Sequence, residues 1–343
     1  MSYIYKETDT KKFFKSDEFN FVFDKTNGNT SFWGKTIDDD TDYNQWGPIL
    51  FDVEITSICE GLGGSVCSEC YKSNTPNGKN MSFSNFKTIL DKFPVFTTQV
   101  AFGTDSHATS NPDIWKMFEY CRSKNITPNL TVADISNETA KNISKYCGSV
   151  AVSNYKNKKE YCYNSIKKLT DTGIKQVNMH LCVHNDTFEH AMSTIDDIIN
   201  DERLEKLNAI VFLQLKNKGR GKNLKTLSID QFNKIVEKAL KYNISFGFDS
   251  CGGNKFKNYC IQNNKNELLQ YVTGCESCKQ SYYINVDCKG FPCSFTENEI
   301  GFEEGIDILK INDFYNDVWH NEKTKKFRNL LDDEFSLCPV FNI

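Results

Sequence analysis

The sequence of 343 residues lacks several features that would place it in a familiar class of protein. No apolar run approaches the roughly eighteen residues that a membrane-spanning helix needs, and residues 1–15 are polar and charged rather than signal-like. The formal net charge of -4 gives no overall basic footprint for nucleic acid. We therefore expect a cytoplasmic protein that binds neither membranes nor nucleic acids, folded as one large α/β domain with an appendage or as two domains.

Several catalytic signatures are also missing. The chain contains no glycine-rich Walker loop, no dinucleotide fingerprint, no GxSxG and no zinc-protease HExxH motif. The corresponding nucleotide-dependent, serine-hydrolase and zinc-protease activities therefore have no support in the sequence. The short basic stretch 216–222 does not change this, because such a run of charges is typical of a solvated loop.

Cysteine, by contrast, is abundant, with fourteen residues in the chain. In a chain without an export signal, this number favours metal ligation or reduced thiols over a disulfide scaffold. Cys59, Cys67 and Cys70 follow the apolar run 49–56 directly, on a loop that contains three glycines. Three thiolates on such a loop can hold an iron–sulfur cluster through three of its irons and leave the fourth iron open to another ligand.

Two other interpretations of these cysteines stay open. Cys67 and Cys70 can form half of a zinc site that Cys275 and Cys278 complete. The thiols can also be ordinary core residues, since free cysteine is among the most buried residue types. The third cysteine close by, the position after a strand and the βα pattern that follows favour the iron–sulfur interpretation.

From residue 97 onward, short β-rich runs alternate with amphipathic helical segments, which is typical of βαβ units around a parallel sheet. Ser228 and Gln231 form a capping-box pair before one helix, and Gly173 marks the end of another. Such units in right-handed succession predict an α/β fold with a partial (β/α)6-type TIM-like barrel, whose loops after the strands gather at one rim. The predicted strands are 49–56, 97–103, 129–133, 149–154, 176–183, 209–215 and 244–249.

Two further segments flank the predicted barrel. In residues 1–48, apolar residues alternate around Asn27-Gly28, which predicts a β-hairpin that covers one end of the barrel. A peptide-docking surface is the alternative for this hairpin. After residue 250 the chain is rich in cysteine, and the segment from Cys275 to Cys293 predicts a hairpin with thiols at both ends. The predicted domains are therefore 1–48, 49–250 and 251–343.

The arrangement Cys-x7-Cys-x2-Cys-Tyr at 59–71 resembles the radical S-adenosylmethionine superfamily, whose usual spacing is Cys-x3-Cys-x2-Cys followed by an aromatic residue. This chain has four extra residues between the first two cysteines. The resemblance implies a [4Fe-4S] cluster on Cys59, Cys67 and Cys70, with S-adenosylmethionine on the open iron. It also implies contacts to the cofactor from Tyr71, Gly103, Thr104, Asp105, Ser153, His180 and Lys216.

These implied cofactor contacts have structural alternatives. The family usually has Gly-Gly-Glu where this chain has Gly103-Thr104-Asp105, and a loop carboxylate is otherwise a turn residue or a helix cap. A histidine in a strand, such as His180, is more often a hydrogen-bonded core residue. Lys216 and Arg220 can bind a carboxylate or a phosphate, or they can belong to a solvated basic loop.

The cysteine-rich C-terminal region resembles the SPASM and twitch domains, in which cysteines around a hairpin bind additional iron–sulfur clusters. The longer cysteine stretch of two-cluster SPASM domains is absent from the sequence, so the resemblance implies one auxiliary [4Fe-4S] cluster. The candidate ligands are Cys275, Cys293 and Cys338, with either Cys251 or Cys278 as the fourth. Four other cysteines lie in helix or strand patterns and are expected in the core, namely Cys121, Cys147, Cys162 and Cys182.

The resemblance also implies a reaction. Reductive cleavage of S-adenosylmethionine yields a 5′-deoxyadenosyl radical that abstracts hydrogen from the substrate, while the protein positions the reactants and excludes water. Many SPASM and twitch relatives modify peptides, so a peptide or protein substrate and a flavodoxin- or ferredoxin-type electron donor are expected. The alternatives are an enzyme that acts on a small molecule or nucleotide, and a zinc-stabilised interaction protein without enzymatic activity.

Overall fold

The structure is a computed structural model that describes residues 2–37, 39, 41, 43–103, 107, 109–331 and 338–341. Within these ranges the chain forms a four-stranded antiparallel sheet and a ten-stranded, mostly parallel sheet flanked by helices. None of the helices in these ranges has both the length and the apolar character that crossing a bilayer requires.

The N-terminal sheet contains the predicted hairpin. The turn at Asn27-Gly28 joins the last two of its four strands, and Gly28 has a φ of +74° that suits glycine. The two strands that precede the hairpin were not predicted. The four antiparallel strands lie in chain order: β1 (Ile4–Glu7), β2 (Lys11–Lys15), β3 (Asn20–Asp24) and β4 (Thr30–Trp33).

The larger sheet contains all seven predicted parallel strands, in the predicted sequential order. The strands are β5 (Leu50–Glu54), β6 (Gln99–Gly103), β7 (Thr127–Val132), β8 (Ser149–Ser153), β9 (Gln176–Val183), β10 (Ala209–Gln214) and β11 (Phe246–Phe248).

The helices begin and end close to the predicted signals. The Ser228 hydroxyl accepts a hydrogen bond from the Gln231 amide at 3.2 Å, and the Gln231 side chain accepts one from the Ser228 amide at 3.0 Å, which confirms the capping box. The Ser136 hydroxyl caps another helix by accepting a hydrogen bond from the Thr139 amide at 3.0 Å. The helices are α1 (Phe83–Leu90), α2 (Ile114–Ser123), α3 (Asn137–Tyr146), α4 (Lys159–Asp171), α5 (Phe188–Asn200), α6 (Ile229–Lys241), α7 (Gly253–Gln262) and α8 (Glu322–Asn329).

The C-terminal hairpin joins the larger sheet. It consists of β12 (Ser281–Ile284) and β13 (Lys289–Phe291), and β14 (Ile306–Asp307) pairs with β13. β12 runs parallel to β5, so the hairpin extends the sheet beside its first strand. The strand order is β11-β10-β9-β8-β7-β6-β5-β12-β13-β14, and in the described part of the chain the edge strands β11 and β14 do not pair with each other.

Side chains along the parallel strands point alternately to the two faces of the sheet. One face packs against the helices, and the other is open. Val100, Val152 and Met179 belong to the face that packs with the helices in the main hydrophobic core. The opposite face carries several small or polar residues, such as Ala101 and Ser153, and it lines a cavity of about 470 Å³ together with apolar residues such as Leu213. Small side chains on this face leave space beside the sheet that a ligand can occupy.

The N-terminal sheet lies against the end of the larger sheet at which the parallel strands begin. Phe14 and Phe21 are buried with Phe96, which precedes β6, and the Phe14 and Phe21 rings stack with centroids 5.3 Å apart. The buried Lys12 ammonium donates to the carbonyl oxygen of Thr97 at 2.5 Å, also before β6. This sheet is therefore at the opposite end from the loops that follow the strands.

Replacing Phe14 with alanine should lower the free energy of unfolding by about 3–5 kcal/mol, because the change leaves a cavity among buried rings. Phe13 is the matched control, because it is the next residue of β2, faces the other way and is 37% exposed. Its replacement should cost less than about 1 kcal/mol. Urea denaturation followed by circular dichroism measures both values, and equal losses would contradict this packing.

Candidate functional site

The cavity in the larger sheet is lined by residues of β5 to β10 and by Asp249, which directly follows β11. Cys59, Cys67 and Cys70 also line it, on the loop that follows β5. Cys59 and Cys67 in addition border a neighbouring cavity of about 360 Å³. The three predicted ligands therefore share one wall at the carboxyl ends of the parallel strands, where sites on such sheets commonly lie.

Cys67 and Cys70 are direct neighbours. The Cys67 thiol donates to the Cys70 sulfur, and this hydrogen bond lowers the pKa of Cys70 and raises that of Cys67. Within the described residues, no three cysteine, histidine or carboxylate side chains converge as they would around a single ion. A four-iron cluster binds each cysteine through a different iron and so needs thiols around a larger volume, which the cavity provides.

The loop after β10, residues 215–223, holds the cysteine loop in place. The Arg220 amide donates to the carbonyl oxygen of Cys70 at 3.0 Å. Its Nε donates to the carbonyl oxygen of Cys67 at 2.8 Å, and its Nη1 donates to that of Asn74 at 3.0 Å. Gly219 has a φ of +57°, and a Cβ there would collide with the carbonyl oxygens of Cys70 and Tyr71. The prediction of a solvated basic loop is therefore wrong.

The same loop also binds the C-terminal region. Lys218 donates to the carbonyl oxygen of Phe295 at 3.0 Å and pairs with the Glu299 carboxylate at 2.7 Å. Lys216 is only 4% exposed, pairs with Asp249 and lies 4.5 Å from the centroid of the Phe295 ring. The loop after β10 thus connects the first cysteine set with the segment that follows Cys293.

Lys72 links the cysteine loop to the C-terminal hairpin through two acidic residues. Its ammonium lies 3.2 Å from the Glu54 carboxylate, donates to the Tyr283 hydroxyl at 2.9 Å and pairs closely with Glu297. Asn285 donates to the second oxygen of Glu297 at 2.6 Å. Burial raises the pKa of Glu54, and Lys72 opposes that rise. This cluster of charges is stable only while the cation is present.

The structure brings five of the predicted cofactor contacts to the cavity wall, namely Tyr71, Gly103, Ser153, His180 and Lys216. Burial lowers the pKa of His180 to about 4, so the ring is neutral at physiological pH. The Tyr71 ring packs against Phe295 with centroids 4.4 Å apart. Lys216 already has an ionic partner in Asp249. Thr104 and Asp105 lie outside the described residues.

Four further residues border the two cavities and were not predicted as site residues. Asp52 faces the larger cavity, and burial together with the nearby Glu276 raises its pKa to about 7. Cys182 also lines this cavity, so its assignment to the core was wrong. The Gln214 amide nitrogen and both His184 ring nitrogens are buried without a hydrogen-bond partner in the described part of the chain. Alternation in β5 and β9 places Asp52, His180 and Cys182 on one face, which is the signal that could have identified them.

The auxiliary candidates form a second group. The pKa of Cys293 is raised to about 12, mainly by burial and to a lesser extent by the nearby thiols of Cys275 and Cys338. Cys251 lies near Cys275 and Cys293, which contribute to its raised pKa after the dominant effect of burial. Cys278 is also near these two, but it is fully buried, and its carbonyl oxygen accepts a hydrogen bond from Arg328 at 2.6 Å. Cys251 and Cys278, the two candidates for the fourth ligand, therefore both lie near Cys275 and Cys293.

The zinc interpretation required Cys67 and Cys70 to meet Cys275 and Cys278. In the described residues, Cys67 and Cys70 shift each other's pKa. The cysteines that shift the pKa values of Cys275 and Cys278 all belong to the C-terminal group. No set of four ligands from the two pairs is formed in these residues. The two cysteine groups are therefore separate.

Neither a protein-family model nor a curated protein matches the sequence. Solved structures do match. A crystal structure of Streptococcus suis SuiB has a TM-score of 0.62 at 13% identity, covering 96% of this chain and 89% of that one. A second crystal structure, of SuiB bound to S-adenosylmethionine, has a TM-score of 0.56 at 15% identity, covering 84% and 67%. The chain therefore shares with SuiB a mixed α/β fold that contains a large, mostly parallel sheet.

Replacing Lys72 with methionine should lower the free energy of unfolding by about 3 kcal/mol near neutral pH, because Glu54 and Glu297 lose their shared cation. Without Lys72 the pKa of Glu54 rises further. The folded state then binds more protons than the unfolded state, so stability falls as pH rises from about 5 to about 7.

The control for this prediction is Lys79, which pairs with Asp287 while both side chains are at least half exposed. Its replacement by methionine should change stability by less than about 0.5 kcal/mol at either pH. Chemical denaturation at both pH values provides the measurement. A loss in the Lys72 variant that is independent of pH would contradict the role of Glu54.

Proposed function

We propose that this chain is a radical S-adenosylmethionine enzyme that carries a [4Fe-4S] cluster on Cys59, Cys67 and Cys70. The observation that carries the proposal is the position of these three thiols, which line one cavity at the carboxyl ends of the parallel strands. A partial barrel around that cavity agrees with the fold shared with SuiB, of which one crystal structure has S-adenosylmethionine bound.

The chemistry of the donor set fits such a cluster. Thiolates are the ligands that iron–sulfur clusters use, and the hydrogen bond from Cys67 favours the thiolate form of Cys70. Arg220 lies beside this pair, and its Nη2 is buried without a hydrogen-bond partner in the described residues. A buried guanidinium with a free donor is suited to an anionic group.

When bound, the cluster and S-adenosylmethionine supply a carbon radical that abstracts hydrogen from a substrate. The chain's own residues would orient the cofactor through Gly103, Ser153 and Tyr71 at the cavity wall. His180 would act as a neutral hydrogen-bonding group, because burial holds its pKa near 4. The Asp52 carboxyl, with a pKa of about 7, can hold or accept a proton inside the cavity.

We further propose one auxiliary [4Fe-4S] cluster on Cys251, Cys275, Cys293 and Cys338, within a C-terminal region 251–343. These four residues are each partly exposed, whereas Cys278 is fully buried near Arg328. The substrate we propose is a peptide or protein, as for the SPASM and twitch relatives, with a flavodoxin- or ferredoxin-type electron donor. The segment 1–48 would act as a cover at the far end of the partial barrel.

The test is anaerobic reconstitution with iron and sulfide, followed by incubation with S-adenosylmethionine and dithionite. The wild-type chain should produce 5′-deoxyadenosine, measured by liquid chromatography with mass spectrometry. Cys67→Ala should abolish this product, because the cluster loses one of three ligands. Cys293→Ala should keep the slow formation of 5′-deoxyadenosine in the absence of substrate while lowering the iron content.

Cys121→Ala is the control variant, since Cys121 lies on the buried face of α2, in the main core. It should retain both the iron content and the product. A colourless wild-type protein that contains only zinc would exclude the proposed activity. Equal behaviour of Cys67→Ala and Cys293→Ala would exclude the division of roles between the two cysteine groups.

A further inference from the structure

Arg220 makes several hydrogen bonds to the cysteine loop, which is the loop after β5 that carries Cys59, Cys67 and Cys70. Three of its nitrogen atoms, the amide nitrogen, Nε and Nη1, donate to the carbonyl oxygens of Cys70, Cys67 and Asn74 at 2.8 to 3.0 Å. These bonds fix the plane of the guanidinium over the segment that carries two of the three thiols. The loop geometry that brings Arg220 there depends on Gly219, where a side chain would collide with the cysteine loop.

The fourth nitrogen, Nη2, is buried and makes no hydrogen bond of normal geometry within the described residues. The guanidinium that carries it interacts with the Cys67 thiol. A buried donor left unsatisfied costs about 1–3 kcal/mol, and more when the group is charged. The hydrogen bonds of Nε and Nη1 restrain the guanidinium, so Nη2 is held in a fixed position near the cysteine loop.

We propose that Arg220 is a positioning residue whose Nη2 donates a hydrogen bond to a sulfur of the cluster on Cys59, Cys67 and Cys70. This inference rests on the proposed function. Hydrogen bonds to cluster sulfurs stabilise the more negatively charged, reduced form and so raise the reduction potential. The same residue would thus order the ligand loop through three nitrogens and favour reduction of the cluster through the fourth.

Arginine suits this double role better than lysine does. Its planar fork can donate to several acceptors at once in a fixed geometry, whereas the lysine ammonium is a single point at the end of a flexible stem. Lys222, two residues further along the same loop, is the natural contrast, because its side chain is exposed. Replacing Lys222 with methionine removes one positive charge from the loop, as replacing Arg220 with methionine does.

The experiment compares Arg220→Met with Lys222→Met after anaerobic reconstitution of the full chain, each in a background of Cys293→Ala so that only one cluster is observed. Redox titration followed by electron paramagnetic resonance measures the midpoint potential. Arg220→Met should shift it to more negative values, with about a tenfold smaller ratio of reduced to oxidised cluster at a fixed potential, which corresponds to about 59 mV for one electron. Lys222→Met should leave the midpoint unchanged.

A second readout separates the hydrogen bond from a structural role. Electron–nuclear double resonance in H₂O and D₂O should detect an exchangeable proton coupled to the cluster in the parent protein, and this coupling should be missing in Arg220→Met. An unchanged potential with the same exchangeable coupling would overturn the inference, as would an equal shift in Lys222→Met.

If Arg220→Met does not bind iron, Arg220→Lys decides the question. It retains the charge and should bind the cluster with a potential below that of the parent, while a potential equal to that of the parent would overturn the inference. Failure of the parent protein to assemble a cluster or to cleave S-adenosylmethionine would instead defeat the proposed function. The two failures are therefore distinguishable.

Discussion

The site depends on an unequal division of side chains between the two faces of the parallel strands. One face carries valine, phenylalanine and methionine, such as Val100, Phe102 and Met179, which pack with the helices and supply most of the burial. The other face includes small or polar residues, such as Ala101 and Thr131, which leave part of the space beside the sheet unfilled. The helices stabilise the sheet from outside, so its interior is free to accept a ligand without loss of the fold.

Ion pairs between different segments of the chain stabilise the charged side chains at the cavity. Lys72 forms ion pairs with both Glu54 and Glu297, and Lys216 forms one with Asp249. Each pair joins a loop at the carboxyl end of a strand to a different part of the chain, so the pairs fix the relative positions of the cavity walls. Asp52 has no such ionic partner among the described residues, and burial together with the nearby Glu276 shifts its pKa toward neutrality.

The sequence was sufficient for the parts of the fold that local patterns determine. Alternation identified the parallel strands, and Ser228 with Gln231 identified the start of α6, because both signals involve residues close together in the chain. The same alternation identifies two faces of β9 but does not tell which face is open, and so Cys182 was misassigned. The contacts of Arg220 join residues about 150 positions apart, and no local pattern encodes them.

The parallel pairing of β12 with β5 means that the C-terminal region is not an independent module. β5 leads directly into the cysteine loop, and β12 covers the side of it that β6 leaves free. A chain shortened after residue 250 would present the backbone donors and acceptors of β5 to solvent as an unprotected sheet edge, a template on which other chains can add strands. Such a fragment would tend to aggregate, because the pairing of β12 with β5 protects this edge in the full chain.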